Sequence, residues 1–334
     1  MPIAQEHADW VTLGFGNCFV NRPNESGSAV DCDRVACPAC GSPSTIPTGP
    51  EAPQFAMPAG DETFVQPDYF VRECGRCGLL FRTPTLSQVA LDRYYAKADF
   101  REWEIAGFFP PERCVLRILR ELPPGSAILD FGCSSGRLLA PLTEIHDCYG
   151  VEVNAAAASE AAQKGIKVLS AGYLETAGAP MFRAIILVDL FEHLSQPIGL
   201  LNKLSQRLTD NGLLLIATGN GDATACRRDP ALFWYFRNLQ HLCMLTRKNA
   251  GFICEQLRLR LERWIELKHY DLSLREKTVQ ILQNFVFWQF RRRTWISRFV
   301  LRFLPGMSQL KLGRLAPNYN CSRDHIVAVF RKLH

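Results

Sequence analysis

No apolar stretch in this 334-residue chain approaches a membrane span. The longest clean run, Ala184 to Val188, falls far short of the ~20 residues a spanning helix needs. The first ten residues, Met1 to Trp10, hold no Lys or Arg and no apolar core, so a secretory signal is not expected. Charged residues are only 21% against 47% hydrophobic ones, a balance that excludes bulk disorder. Internal repeats are absent too. The 13 cysteines are too few for a disulfide scaffold of this length. Without a signal they read as reduced thiols or metal ligands in a cytoplasmic protein. The length fits one large domain, or a main domain with a small appendage.

The net charge of +5 is unevenly placed. Gly251 to His334 holds 16 Lys/Arg and 6 Asp/Glu, so the basic excess belongs to the C-terminal quarter. A solvated basic face or an acidic partner both account for it.

Residues 1–36 show no sustained period and are expected to be a flexible extension. From Gly41 to Gly60, ten of twenty residues are Pro, Gly or Ser, which is loop chemistry. Phe64 to Arg72 and Leu79 to Phe81 are candidate strands. Leu86 to Glu104 is patterned as a helix, and Pro110-Pro111 opens another. From Ser126 short apolar runs alternate with helical segments. The runs are Ala127–Phe131, Cys148–Val153, Ile166–Leu169, Arg183–Val188 and Gly212–Ala217. Helices are expected at Gly136–Ile145, Asn154–Lys164 and Gln196–Leu208, and later strands at Phe252–Leu259 and Ile326–Phe330. This alternation predicts an α/β fold with a parallel sheet covered on both faces.

The most informative stretch is Ala127-Ile-Leu-Asp130-Phe-Gly132-Cys-Ser134-Ser-Gly136-Arg137. A buried strand ends near an acid and turns through glycines into free N–H groups, the geometry of a nucleotide site. A dinucleotide fingerprint would need glycines at 132, 134 and 137, and only Gly132 is present. Glu152 closes the next strand, where an acid can accept from both ribose hydroxyls of a nucleoside. The stretch resembles motif I of the class I S-adenosylmethionine (SAM) methyltransferases, acid-x-Gly-x-Gly-x-Gly, with Ser134 in the middle glycine's place. That resemblance implies SAM as co-substrate and a Rossmann-like seven-stranded sheet, parallel except for an antiparallel last strand. Asp130, Gly132, Ser134, Gly136 and Glu152 become candidate cofactor-binding residues.

Asp189-Leu-Phe-Glu192-His193-Leu follows the strand that ends at Val188. Phe182 to Asn220 is similar to a methyltransferase subgroup that includes ubiquinone-biosynthesis O-methyltransferases and sugar methyltransferases. The likeness rests on Glu192-His193-Leu, Pro197, Leu204 to Leu208 and Asn211-Gly212-Leu. Asp189 joins the cofactor set, and Glu192 and His193 are candidate catalytic residues. Methyl transfer is an in-line displacement, so the protein must align two atoms and remove a proton. His193 is the candidate base, expected to titrate near neutrality. Helix capping is the plain alternative for both. Some small-RNA methyltransferases hold a divalent ion with Glu-x-x-Glu-His and a distant histidine. Asp189, Glu192, His193 and His241 could imitate that set.

Cys37-Pro-Ala-Cys40 and Cys74-Gly-Arg-Cys77 are two knuckles, each followed by glycine. Four thiolates suit a structural Zn2+ site, and the long insert between the pairs costs little extra loop entropy. Cys74 to Pro84 with Leu91-Asp-Arg-Tyr-Tyr95 looks like the N-terminal zinc module of bacterial methyltransferases, several of which act on sugars. The expected organisation is therefore 1–36 extension, 37–105 zinc module and 106–334 methyltransferase domain, with 265–320 a basic helical insertion. Phe285 to Leu304 is rich in Arg and aromatics. It is a candidate cap over the substrate pocket or a peripheral contact with the anionic inner face of a membrane, with nucleic acid least favoured. The leading function is methylation of a saccharide or saccharide-linked acceptor. The alternatives are O-methylation of a quinone-like molecule or RNA, and a non-catalytic binding module on this fold.

Overall fold

The computed structural model describes residues 35–99, 105–175, 180–295, 317 and 323–333. Most of the expected N-terminal extension, including Cys32, and residues 296–304 of the basic aromatic segment lie outside them. The elements run β1 (Thr45–Pro47), β2 (Phe55–Ala59), β3 (Glu62–Gln66), β4 (Phe70–Cys74), β5 (Leu80–Thr83) and α1 (Gln88–Lys97). Then come α2 (Pro110–Arg120), β6 (Ala127–Phe131), β7 (Asp147–Val151), α3 (Ala155–Gln163), β8 (Lys167–Leu169), β9 (Phe182–Val188), α4 (Pro197–Gln206) and β10 (Leu208–Gly219). The chain continues through α5 (Thr224–Arg228), β11 (Cys243–Met244), α6 (Arg247–Leu257), β12 (Leu259–Leu267), α7 (Leu274–Arg291) and β13 (His325–Lys332).

Seven strands form the main sheet in the order β12-β13-β10-β9-β6-β7-β8. β8, β7, β6, β9 and β10 pair in parallel, and β13 is antiparallel to both its neighbours. The expected α/β sheet with an antiparallel last strand is therefore present. β9 and β10 are nearly continuous apolar runs because helices cover both faces. Phe182, Ile185, Leu187, Leu214 and Ile216 belong to the core on one face, and Ile128, Ile186, Leu215 and Val329 to the core on the other.

Three expectations are corrected. Gly136–Ile145 is not a helix but holds a single 3-10 turn, Ala140–Leu142, because Pro141 has no N–H to continue the ladder. Phe252–Leu259 is not a strand. It lies mostly in α6, which Thr246 caps by accepting from the Asn249 N–H at 3.0 Å, and the strand begins only at Leu259. The apolar residues Phe252, Ile253 and Leu257 recur at helical spacing, which a short β-like run conceals. Phe64–Arg72 splits into two strands, β3 and β4, around Pro67.

A second, four-stranded antiparallel sheet has the order β1-β4-β5-β11. Its last strand, β11, comes from beyond residue 106, so the N-terminal module and the main domain share one sheet. The joint is fixed by Arg82 on β5, which is almost completely buried. Its guanidinium donates to the carbonyls of Phe236 at 3.1 Å, Asn238 at 3.0 Å and Leu239, and lies over the Tyr69 ring. Burial lowers its pKa to about 10, so it stays charged at neutral pH. Arg82→Met is expected to lower the unfolding free energy by about 3 kcal/mol, since buried carbonyls lose a charged donor. Urea unfolding measures this, and an unchanged midpoint would refute the clasp.

Candidate active site

The glycine turn leaves β6 at the carboxyl edge of the sheet. Gly132 and Gly136 both take positive φ, +90° and +72°. A Cβ at Gly136 would lie 2.9 Å from the Ala161 Cα, so α3 packs directly on the turn. Ser134 also takes positive φ, +47°, and so keeps the left-handed path of the glycine it replaces, at a strain of about 1 kcal/mol. Its N–H donates to Glu152 Oε2 at 3.0 Å, and the Asn154 N–H donates to Glu152 Oε1 at 2.7 Å. Glu152 thus ties the turn to the end of β7.

This pocket edge is rich in acid. Asp130 is buried at the end of β6. Burial first, then Glu112 and Glu152, push its carboxyl up to about 8. Burial also raises Glu152, against the backbone hydrogen bonds that lower it. Arg137 ion-pairs with Glu112. Among the described residues Asp130 and Glu152 have no such cation, and a cationic ligand would supply it.

Asp189, at φ +49°, starts the next turn. Glu192 is fully buried and held at both oxygens. Thr218 Oγ1 donates to Oε2 at 2.7 Å and the Tyr235 hydroxyl donates to Oε1. Tyr235 can approach because Gly219 has no side chain: a Cβ there would sit 2.4 Å from the Tyr235 ring. Half-buried His193 places Nδ1 2.7 Å from the Tyr95 hydroxyl, and the two rings stack. Burial pushes its pKa down to about 3, so the imidazole is neutral, not poised near neutrality as expected. His241 Nδ1 lies 2.7 Å from the Tyr235 carbonyl, which can only accept, so its proton is on Nδ1.

Glu192, His193 and His241 bring possible ligand atoms within 4.8 Å of one another. Yet both Glu192 oxygens and His241 Nδ1 already have hydrogen-bond partners, so this trio forms a hydrogen-bonded wall. Asp189 does not join it as a ligand group; it clusters with His269 and His325. Sequence reasoning quotes Tyr95 only within the zinc module and passes over Thr218, His269 and His325. A histidine opening the last strand is the available signal for His325.

The four knuckle cysteines converge although 33 residues separate the pairs. Their sulfurs all lie within 4.8 Å, with Cys37–Cys77 and Cys40–Cys74 both at 3.5 Å. Those separations are far beyond an S–S bond and near the ~3.8 Å edge of a tetrahedron with Zn–S bonds of about 2.3 Å. The Cys37 hydrogen bond, as the largest cause, draws the Cys77 thiol down to about 5. The residues present fit Zn2+.

Sheet order, glycine turn and the paired strand-end acids are the features that the resemblance to SAM-dependent methyltransferases predicts. A family model described as a methyltransferase domain matches residues 95–262, just over half of the chain, and the chain belongs to that family. No curated protein matches the sequence. Among solved structures, the chain is similar to a TehB-like SAM-dependent methyltransferase from Corynebacterium glutamicum, at 17% identity and TM-score 0.38, over 73% of this chain and 95% of that one. It is also similar to the N-methyltransferase NodS from Bradyrhizobium japonicum, at 16% identity and TM-score 0.40, over 67% and 98%. The YcgJ protein of Bacillus subtilis aligns at 15% identity and TM-score 0.43, over 67% and 98%.

If Asp130 meets the ammonium of SAM, binding requires its ionised form. Below its folded pKa of about 8 each bound SAM must displace a proton, so affinity should climb as pH rises from 6 to 8. Asp130→Asn should weaken binding by ~1.5–3 kcal/mol and flatten this dependence. Calorimetry at several pH values tests both, and equal affinity for the variant would remove Asp130 from the site.

Proposed function

We propose that this methyltransferase transfers the sulfonium methyl of SAM to a hydroxyl of a saccharide or saccharide-linked acceptor. The observation that carries this reading is a cleft of about 440 Å3 between α7 and the 224–234 segment. Trp234 and Trp288 offer flat apolar faces there, and Arg228, Asp229, Asn284 and Gln289 offer hydrogen-bonding groups. Stacking faces interleaved with forked donors and acceptors suit a ring that is apolar on its faces and hydroxylated at its rim. Trp234 also lies 6.0 Å from the His325 ring, so the cleft and the catalytic edge share a wall. In this reading α7 covers the acceptor side. Among the described residues no helix is long and apolar enough to cross a membrane. A screen of nucleotide sugars with radiolabelled SAM tests the acceptor class. Methylation of quinones or RNA but no sugar would overturn it.

In this reading His193 takes the hydroxyl proton as the O–CH3 bond forms and the C–S bond breaks, releasing S-adenosylhomocysteine. Tyr95 fixes the ring. For Nε2 to accept, Nδ1 carries the proton and donates to the Tyr95 oxygen. His193→Ala should leave SAM affinity intact and lower turnover by about 10²–10⁴-fold. Because burial holds the folded pKa near 3, only protonation below pH 5 should silence the base. Turnover should therefore show no His193 limb between pH 6 and 8, and an acid limb at neutrality that vanishes in His193→Ala would refute this.

The four-cysteine cluster serves this chemistry by holding Zn2+ structurally, which keeps the module carrying Tyr95 against the domain. Asn249 Nδ2 donates to the Cys77 carbonyl at 3.3 Å and Thr246 Oγ1 to the Gly78 carbonyl at 2.8 Å, so the knuckle also seats α6. Cys77→Ser should lose one zinc per chain by metal analysis and lower the melting temperature. A variant that melts as the parent does would show that no structural ion is held there.

A further inference from the structure

Three strand ends converge beside the catalytic wall. Asp189 follows β9, His269 lies two residues beyond β12, and His325 opens β13 opposite Leu267 in the antiparallel register. Possible ligand atoms of these three side chains lie within 4.8 Å of one another. His325 and His269 are both more than nine-tenths buried.

His325 Nδ1 lies 3.3 Å from Asp324 Oδ1, and the same oxygen accepts from the His269 N–H at 3.0 Å. A carboxylate accepts, so the His325 proton is on Nδ1 and Nε2 carries a lone pair. That lone pair lies 3.9 Å from Asp189 Oδ1, too far for a hydrogen bond. Among the described residues neither His325 Nε2 nor His269 Nδ1 has a hydrogen-bond partner.

His325 Nε2 and Asp189 Oδ1, facing each other without a hydrogen bond, are two ligand atoms placed for a shared cation. Two atoms each about 2.1 Å from a common ion lie up to ~4.2 Å apart, and 3.9 Å falls within that span. Asp324 supplies the outer carboxylate that commonly fixes the tautomer of a metal-bound histidine. Phe109 stacks on His269 at 4.5 Å and Tyr235 stands edge-on to His325 at 4.8 Å, so rings shield the imidazoles while Asp189 stays part-exposed.

We propose that Asp189, His269 and His325 bind a divalent transition-metal ion, with Asp324 orienting His325 and open coordination positions on the Asp189 side. Two imidazoles and one carboxylate suit Zn2+, Fe2+, Co2+ or Mn2+, not Ca2+ or Mg2+. The site differs from the four-cysteine cluster in place and in ligand type, and it does not depend on the identity of the methyl acceptor.

Titration of Co2+ into the full-length chain, followed by absorption spectroscopy, tests this. Cobalt at four thiolates gives an intense near-ultraviolet charge-transfer band. Cobalt on two imidazoles and a carboxylate gives only weaker visible bands. The expected result is one equivalent of the second kind, retained in Cys40→Ser and lost in both Asp189→Asn and His325→Gln. Asp324→Asn should weaken it by about 10–100-fold. Asp189 is part-exposed, so its variant keeps the test decisive even where a histidine variant fails to fold. Thiolate-type cobalt alone in the parent chain, or a visible band of the Cys40→Ser protein that survives a further Asp189→Asn substitution undiminished, overturns the proposal.

Discussion

One buried charge organises the joint between the two halves of this protein. Arg82 leaves β5 and takes the carbonyls of Phe236, Asn238 and Leu239 in one fork. The segment it grips carries Tyr235 at one end and His241 at the other. Tyr235 donates to Glu192, and its carbonyl fixes the His241 tautomer. The Arg82 backbone N–H also reaches the Leu242 carbonyl at 2.8 Å, and the Leu242 N–H reaches the Glu192 carbonyl at 2.7 Å. A short chain of hydrogen bonds therefore runs from the cysteine-knuckle module to the turn that carries His193. Carbonyl partners suit this task. A buried ion pair would bring a second charge to desolvate, whereas carbonyl dipoles satisfy the guanidinium without one.

The carboxyl edge of the sheet is arranged against its own stability. Ser134 and Asp189 both hold a left-handed backbone that side chains disfavour. Asp130, Asp189 and Glu192 are held above the ordinary carboxylate range, with burial the largest cause for each. These groups raise the free energy of the empty pocket. A sulfonium with an attached ammonium would offset the cost at Asp130 by restoring its favoured charged state. Strain and uncompensated acid concentrated at one sheet edge mark a site kept for a ligand.

Legibility from sequence followed the range over which a physical signal acts. Asp130, Gly132, Gly136 and Glu152 were readable because a strand, a turn and the next strand encode them locally. Ser134 was readable as a departure, but whether it keeps the glycine path depends on the Glu152 hydrogen bond. The knuckles were readable as pairs, and their convergence follows from the pairing of β1 with β4, which sets Thr45 opposite Cys74. Helix α6 was misread because Phe252, Ile253 and Cys254 form a short apolar run, whereas its evidence for helicity is the Thr246 cap and burial on one face. His269 was invisible for another reason. Its partner His325 lies 56 positions away, and only the antiparallel pairing of β12 with β13 brings them together.

That pairing also adds His269 and His325 to an edge already crowded with rings. β12 and β13 meet at the carboxyl edge, where the parallel strands deliver Asp130, Glu152 and Asp189. Rings then line up as Phe109, His269, His325, Tyr235, His241, His193 and Tyr95, with successive centroids 4.1–6.0 Å apart. Each ring removes water from the next, and burial keeps every imidazole in the row neutral. A neutral imidazole is the form that can accept a proton or bind a metal. Dehydration that would be wasteful elsewhere in the protein here keeps these imidazoles uncharged at physiological pH. The row runs from Tyr95 near the end of α1 through His325 on the last strand to Phe109 at the start of α2, so residues far apart in sequence must come together before it is complete.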